Sequence, residues 1–167
     1  EHEIYDFVAS EIDAIKEDLA LNEGSQTRAT KWAALALKTR AMLYAGSLAK
    51  YNSLMATPIT TSGGEVGIPA SMAQVYYQKA LAAAEEIINE GPYSLYNGST
   101  DKADNFYQSS TYKSNNKEVI FAKDFATGYT HNFTTYNIAR ALREDAAEAA
   151  RMSPTLGFVE AFEYTDS

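Results

Sequence analysis

Apolar positions recur with a helical period through most of the first half of the chain. Tyr5, Val8, Ile12, Ile15 and Leu19 fall at offsets 3, 7, 10 and 14, one face of a helix with a period of about 3.6 residues. Asn22-Glu23-Gly24 closes that helix, Gly24 suiting the left-handed position after its last turn. A second helix is predicted from Thr30, whose hydroxyl can accept a free first-turn amide, to about Tyr51. Ala33, Ala34, Ala36, Ala41, Ala45 and Ala49 leave much of its circumference without bulk, so another helix can approach closely, while Leu37, Tyr44, Leu48 and Tyr51 form a larger-residue stripe. The third helix opens on Ser71 with Gln74 three residues on, a capping-box pattern. It carries Tyr77, Ala80, Leu81, Ala84, Ile87 and Ile88 at helical spacing and stops at Gly91-Pro92.

The second half reads differently. Asn52 to Ala70 holds Pro58, Gly63-Gly64, Gly67 and Pro69 without periodicity, and a loop that long in a compact domain usually binds something or is an insertion. Tyr93-Ser94-Leu95-Tyr96 is predicted as a short extended piece and Glu118 to Ala122 as a strand, with a loop from Asn97 to Tyr112 between them. Asn137 to Met152 is predicted as a helix with Arg140–Glu144 and Glu148–Arg151 pairs, ended by Pro154. Leu156 to Tyr164 is apolar and aromatic enough to be buried, but its length leaves helix and strand equally open. These elements predict a mainly α fold: a tetratricopeptide-like helical hairpin scaffold with long loops and a few short strands. The helical repeat portion covers 1–92 and the loop-rich portion 93–167, within one domain that reads as part of a longer chain.

The hairpin repeat of about 34 residues carries W-x2-L-small-x2-Y in its first helix and A-x3-F…P in its second, because small residues let the two helices nest. Trp32, Leu35 and Ala36 match the first half, with Thr39 in place of Tyr; Ala80, Ala84, Ile87 and Pro92 match the second, with Ala84 in place of the larger residue. Trp32 is accordingly read as packing between helices rather than as a ligand platform.

Composition narrows the chemistry. Fourteen Lys plus Arg against twenty-two Asp plus Glu give a net charge of −8, which argues against a nucleic-acid partner, since phosphate binding needs clustered positive charge. The absence of cysteine removes disulfides, thiolate nucleophiles and cysteine-based metal centres without fixing a compartment. No apolar run reaches the ~18 residues that span a bilayer. Twelve tyrosines and seven phenylalanines suit a wet binding surface, tyrosine combining a flat apolar face with a hydrogen-bonding tip.

Four stretches, Arg28 to Ala45, Tyr77 to Leu95, Asn116 to Phe121 and Ser153 to Phe162, resemble in this order landmarks of the SusD/RagB family of outer-membrane nutrient-binding lipoproteins. Arg28 to Ala45 looks like the family's helix with its Thr-Lys start, paired alanines and late Leu-Tyr. Tyr77 to Leu95 looks like the next helix and its Gly-x-Tyr-x-Leu exit; Asn116-Lys117-Glu118-Val119-Ile120-Phe121 matches an Asn-Lys-Glu-Val-Ile-Phe element. Ser153-Pro154-Thr155-Leu156 through Phe162 resembles the Pro-Thr…Val-(Asp/Glu)-Ala-Phe segment. Family members are several times longer, so the chain looks like their middle section. The resemblance implies an α-α superhelical, non-catalytic binder at the cell surface. It would deliver oligosaccharides, or sometimes peptides, to a SusC-like TonB-dependent transporter, held to the membrane only by a lipid anchor and with no cofactor.

Within that reading the stretch Phe125 to Tyr136 is the richest candidate. Sugars present apolar C–H faces and many hydroxyls, so their sites need aromatic platforms flanked by groups that donate and accept. Tyr129, His131, Asn132 and Tyr136 supply both and are the candidate ligand-binding residues; the alternative is that Phe125 and Phe133 only pin the loop. The Asn97–Tyr112 loop carries oxygen ligands without EF-hand spacing and is read as solvated rather than calcium-binding. His2 and His131 are the only histidines, too few for a histidine metal site. Ser47 and Ser153 lie in no nucleophile elbow. Glu85/Glu86 and Glu144/Glu148 are read as solvated charge rather than a glycosidase pair. The rival function is a tetratricopeptide-type protein–protein interaction module without glycan binding, with Tyr76, off the apolar stripe, and Lys79 as its contact residues.

Overall fold

At Thr30 the backbone is extended (φ −123°, ψ 169°) and the hydroxyl accepts from the Ala33 amide, so helix α2 begins where the sequence places it and runs Lys31–Asn52. The computed structural model describes residues 1–22, 26–112, 116–126, 128, 137 and 154–162. Helix α1 spans His2–Ile15, α3 Ala73–Glu90, α4 Lys102–Thr111 and α5 Leu156–Glu160. The protein is mainly helical, and no strand occurs among the described residues. Two compact units divide at Lys123/Asp124.

Helices α2 and α3 form an antiparallel pair. Met42, Ala45 and Ala49 late in α2 share one buried cluster with Tyr76 and Ala80 early in α3. Trp32 and Leu35 early in α2 share another with Ala83 and Ile87 late in α3. Small residues make this approach possible: a Cβ at Gly46 would lie 2.8 Å from the Tyr77 ring. Trp32 packs between the helices as predicted, and its indole N–H donates to the Leu21 carbonyl at 3.1 Å.

The buried faces differ from the expected stripes. In α3 the core side is Tyr76, Ala80, Ala83 and Ile87, whereas Leu81 and Ile88 are exposed. In α2 Leu37, Tyr44 and Tyr51 of the larger-residue stripe are exposed, and α3 approaches, as expected, on the small-residue side, where Ala45, Gly46 and Ala49 are buried. Tyr76, expected to be free for a partner, is completely buried. Its hydroxyl donates to the His2 carbonyl at 3.3 Å, and the edge of Tyr5 meets its ring with centroids 6.4 Å apart.

Helix α3 does not use the Ser71/Gln74 box: a 3-10 turn over Ala70–Met72 leads directly into it, and Met72, with no side-chain cap bond, precedes its first residue. The Asn52–Ala70 loop is held by its own groups. The Asn52 side chain closes on Ile59 through two bonds of 2.8 and 3.0 Å, Ile68 is buried, and the Gly67 amide, at φ +102°, donates to the Glu1 carboxylate.

Helix α1 stops at Ile15 rather than continuing through Leu19; the Gly24 terminator lies outside the described residues. Ala9 and Ile12 are its buried positions. Asp13 pairs with Lys38 of α2, and Asp6 with Lys79 of α3 at 2.8 Å. At its far end Lys31 bridges Glu17 and Glu86, each at 3.0 Å, while Lys16 reaches Glu86 at 2.7 Å. Glu86 is therefore an ion-paired, partly buried group, not the solvated charge expected.

The hydrogen bonds of Lys16 and then Lys31 hold the Glu86 carboxyl below its ordinary range. Bonds to Glu86 and Glu17 raise Lys31. Burial, followed by the Asp6 charge, pushes the Tyr76 phenol up to about 12. A lowered carboxyl contributes stability above its ordinary pKa of about 4.5 that is lost as pH falls through the folded value; a raised phenol contributes stability below about 10 that is lost as pH climbs toward 12.

In the second unit, Thr155 caps α5 by accepting from the Phe158 amide. Phe158 and Phe162 meet edge to face at 5.2 Å. The segment is helical and exposed rather than buried. The predicted Asn137–Met152 helix lies outside the described residues apart from Asn137.

Two outcomes follow from this packing. Gly46→Leu, which raises helix propensity but drives side-chain bulk into Tyr77, is expected to cost about 1–3 kcal/mol in urea unfolding. Glu86→Gln is expected to flatten the loss of stability below about pH 4.5, and Tyr76→Phe the loss above about pH 10, each read from unfolding midpoints across pH.

Candidate functional site

Tyr129, His131, Asn132 and Tyr136 lie outside the described residues, as do Ser153, Glu144 and Glu148. Of the aromatic stretch, Phe125, Ala126 and Gly128 are described. Ser47 donates to the Leu43 carbonyl of its own helix. Among the described residues no group of three His, Asp or Glu side chains could hold a metal ion, and no helix is long and apolar enough to cross a membrane.

The described residues do form a cleft in the segment read from sequence as loop and strand. Lys102–Thr111 is helix α4, started by the Asp101 side chain, which accepts from the Ala103 amide at 2.8 Å. No residue of α4 is buried, so it carries no apolar stripe to reveal it. Asp101 as a cap with Asp104 in the first turn was the available signal.

The expected strand at Glu118–Ala122 is absent because its backbone finds scattered partners instead of a ladder. Lys117 accepts from the Ser94 amide at 3.2 Å, Ala122 donates to Gln26, and the Gln26 side chain donates to the Asn116 and Val119 carbonyls. Tyr93 and Ile120 pack against the Trp32 cluster, which ties this segment to the α2–α3 pair. Burial raises the Tyr93 phenol, opposed by a bond to Thr30.

Between this segment and α4 lies an open cleft of about 500 Å³, within the range of about 300–1,000 Å³ usual for small-ligand sites. Its apolar walls are Leu95, 83% exposed, and Phe106, 78% exposed. Asn97, Lys102, Ser109 and Glu118 stand at its polar edges.

The frame is fixed from behind. The Tyr96 hydroxyl donates to Gln108 at 2.7 Å, its ring meets the edge of Tyr112 at 6.2 Å, and its amide donates to Glu118 Oε2 at 2.9 Å. Asn105 holds the preceding turn, accepting from the Ser99 amide and donating to the Ser99 carbonyl, both at 2.7 Å. Buried Asn116 donates to the Ser109 and Tyr112 carbonyls at the end of α4 and accepts from the Glu118 amide.

Polar side chains locked in this way present their remaining lone pairs and protons at fixed positions, which lowers the ordering cost of binding. The cleft can accommodate a ring with an apolar face and polar edges. Sequence reasoning assigned Asp101, Asp104, Asn105, Tyr107 and Tyr112 to a solvated loop and overlooked the cleft, because its walls come from two segments that meet only after folding. Searches of family models, of curated proteins and of solved structures found no match to this chain.

Asn116→Ala is expected to cost about 1–3 kcal/mol by removing a buried side chain and the hydrogen bonds it makes to the Ser109 and Tyr112 carbonyls and the Glu118 amide. It should also raise amide hydrogen exchange in α4 more than in α2, which hydrogen-exchange mass spectrometry resolves.

Proposed function

We propose that this chain is a section of a SusD/RagB-like surface protein that binds oligosaccharides without transforming them and passes them to a TonB-dependent transporter at the outer membrane. The observation that carries the reading is the occurrence of four family-like landmarks in family order, from Arg28-Ala29-Thr30-Lys31-Trp32 to Ser153-Pro154-Thr155-Leu156. Two structural facts support it: the nested α2–α3 hairpin, in which Trp32 and Ala80 take packing roles, and a cleft whose walls are ring and aliphatic surface and whose edges are amide, hydroxyl and charged groups. That pairing of surfaces suits a sugar, which is amphipathic by faces.

Of the two contacts named for the protein-interaction reading, Tyr76 lies wholly inside the fold, so its substitution would act on stability before it acted on a partner; Lys79 keeps part of its side chain exposed beside Asp6.

Affinity electrophoresis and calorimetry of the intact chain against a panel of glycans and short peptides test the proposal. Saturable binding of at least one oligosaccharide class, with no product release on prolonged incubation, is expected. Silence toward glycans and peptides alike would overturn it.

A further inference from the structure

We infer that the cleft beside α4 seats one neutral pyranose unit of an oligosaccharide, with Phe106 as the stacking face, an inference that rests on the glycan-binding reading. Phe106 is displayed on a helix whose two ends are held by Asp101 and Asn116, so its ring is presented without a large ordering cost. Leu95 faces the same space from the 93–97 segment. An apolar ring face of the ligand can cover both.

The edges select for hydroxyl groups. The Lys102 ammonium and the Asn97 amide nitrogen are donors without hydrogen-bond partners among the described residues. Glu118 Oε1 likewise remains open, since the Tyr96 amide takes Oε2. The Ser109 hydroxyl donates to the Phe106 carbonyl, leaving its lone pairs to accept. Donors and acceptors therefore both surround the apolar walls, as hydroxyls that both give and take protons require. An apolar protein segment filling the same space would strip water from Lys102 and Glu118 without replacing their hydrogen bonds, which is unfavourable.

Charge selects for a neutral sugar. One ammonium and one carboxylate cancel at the rim, and the chain as a whole carries −8, so a uronic acid gains no net attraction and meets a repulsive background.

The test is calorimetry on the intact chain with cellohexaose, maltohexaose, mannohexaose and xylohexaose, and an oligogalacturonate of the same length as the anionic comparison. Phe106→Ala should weaken binding of the preferred neutral oligosaccharide about tenfold, as loss of one stacking contact would. Phe7→Ala, an exposed aromatic of α1 away from the cleft, should leave affinity unchanged. Oligogalacturonate should bind more weakly than its neutral counterparts.

Undiminished affinity in Phe106→Ala would overturn the cleft assignment while leaving glycan binding intact. Preference for oligogalacturonate would overturn the neutral class. Silence toward every oligosaccharide, with or without peptide binding, would overturn the inference, and silence toward peptides as well would remove the functional reading beneath it. If circular dichroism shows that Phe106→Ala has lost helix, ligand-induced shifts of the Phe106 and Tyr96 ring signals in the unsubstituted protein decide the matter. Binding without such shifts counts against the cleft.

Discussion

The close approach of α2 to α3 is the constraint from which the rest of the first unit follows. Alanine and glycine along α2 bring the helices near enough for Gly46 to lie under the Tyr77 ring. Larger side chains fill the two buried clusters of the interface: Met42 and Tyr76 in one, Trp32, Leu35 and Ile87 in the other. Interiors are packed to crystal-like density, so a single extra group at such a contact propagates along the whole pair. The conformational freedom glycine loses in a helix is offset here by the contact its missing side chain allows.

Two attachments use that pair as their base. Helix α1 brings Ala9 and Tyr5 against it and is held at both ends by ion pairs, Asp6–Lys79 at one and the Lys16/Lys31/Glu86 group at the other. Partly buried charges of this kind fix position, because breaking one partner leaves the other uncompensated. The segment from Tyr93 to Ala122 attaches through Tyr93 and Ile120 on the Trp32 cluster and through the Gln26 side chain. It carries the cleft beside α4, whose rigidity descends from Asn116 and the α2–α3 frame rather than from a sheet.

What could be read from sequence divides along physical lines. Thr30 as a cap, Gly91-Pro92 as a stop and Trp32 as an inter-helix residue were legible because each acts through local geometry or through a period that one helix displays by itself. In α2 the alanine-rich side was legible as the side of close approach, and Leu37 and Tyr44 turn outward; in α3 the choice of buried face was not, because close packing favoured Ala80 and Ala83 and turned Leu81 and Ile88 outward. Tyr76 was misplaced by the same error of rotation.

Helix α4 escaped notice because none of its residues is buried, and the strand at Glu118–Ala122 failed because a strand needs a neighbouring edge that sequence does not display. Instead, a glutamine side chain supplies the carbonyl's partner. The aromatic stretch with Tyr129, His131, Asn132 and Tyr136 was readable as chemistry, and its geometry lies outside the described residues. The cleft was invisible for a further reason: Leu95, Lys102, Phe106 and Glu118 become one surface only when two segments are brought together by contacts elsewhere.

The most direct measurement is a nuclear Overhauser experiment on the intact chain between the Gly46 α-protons and the Tyr77 ring protons. Strong cross-peaks, accompanied by contacts from Trp32 to Ile87, are what the nested antiparallel register requires. Their absence, with cross-peaks instead from Tyr77 to the Leu37–Tyr44 side of α2, would contradict the packing on which the frame and its cleft depend.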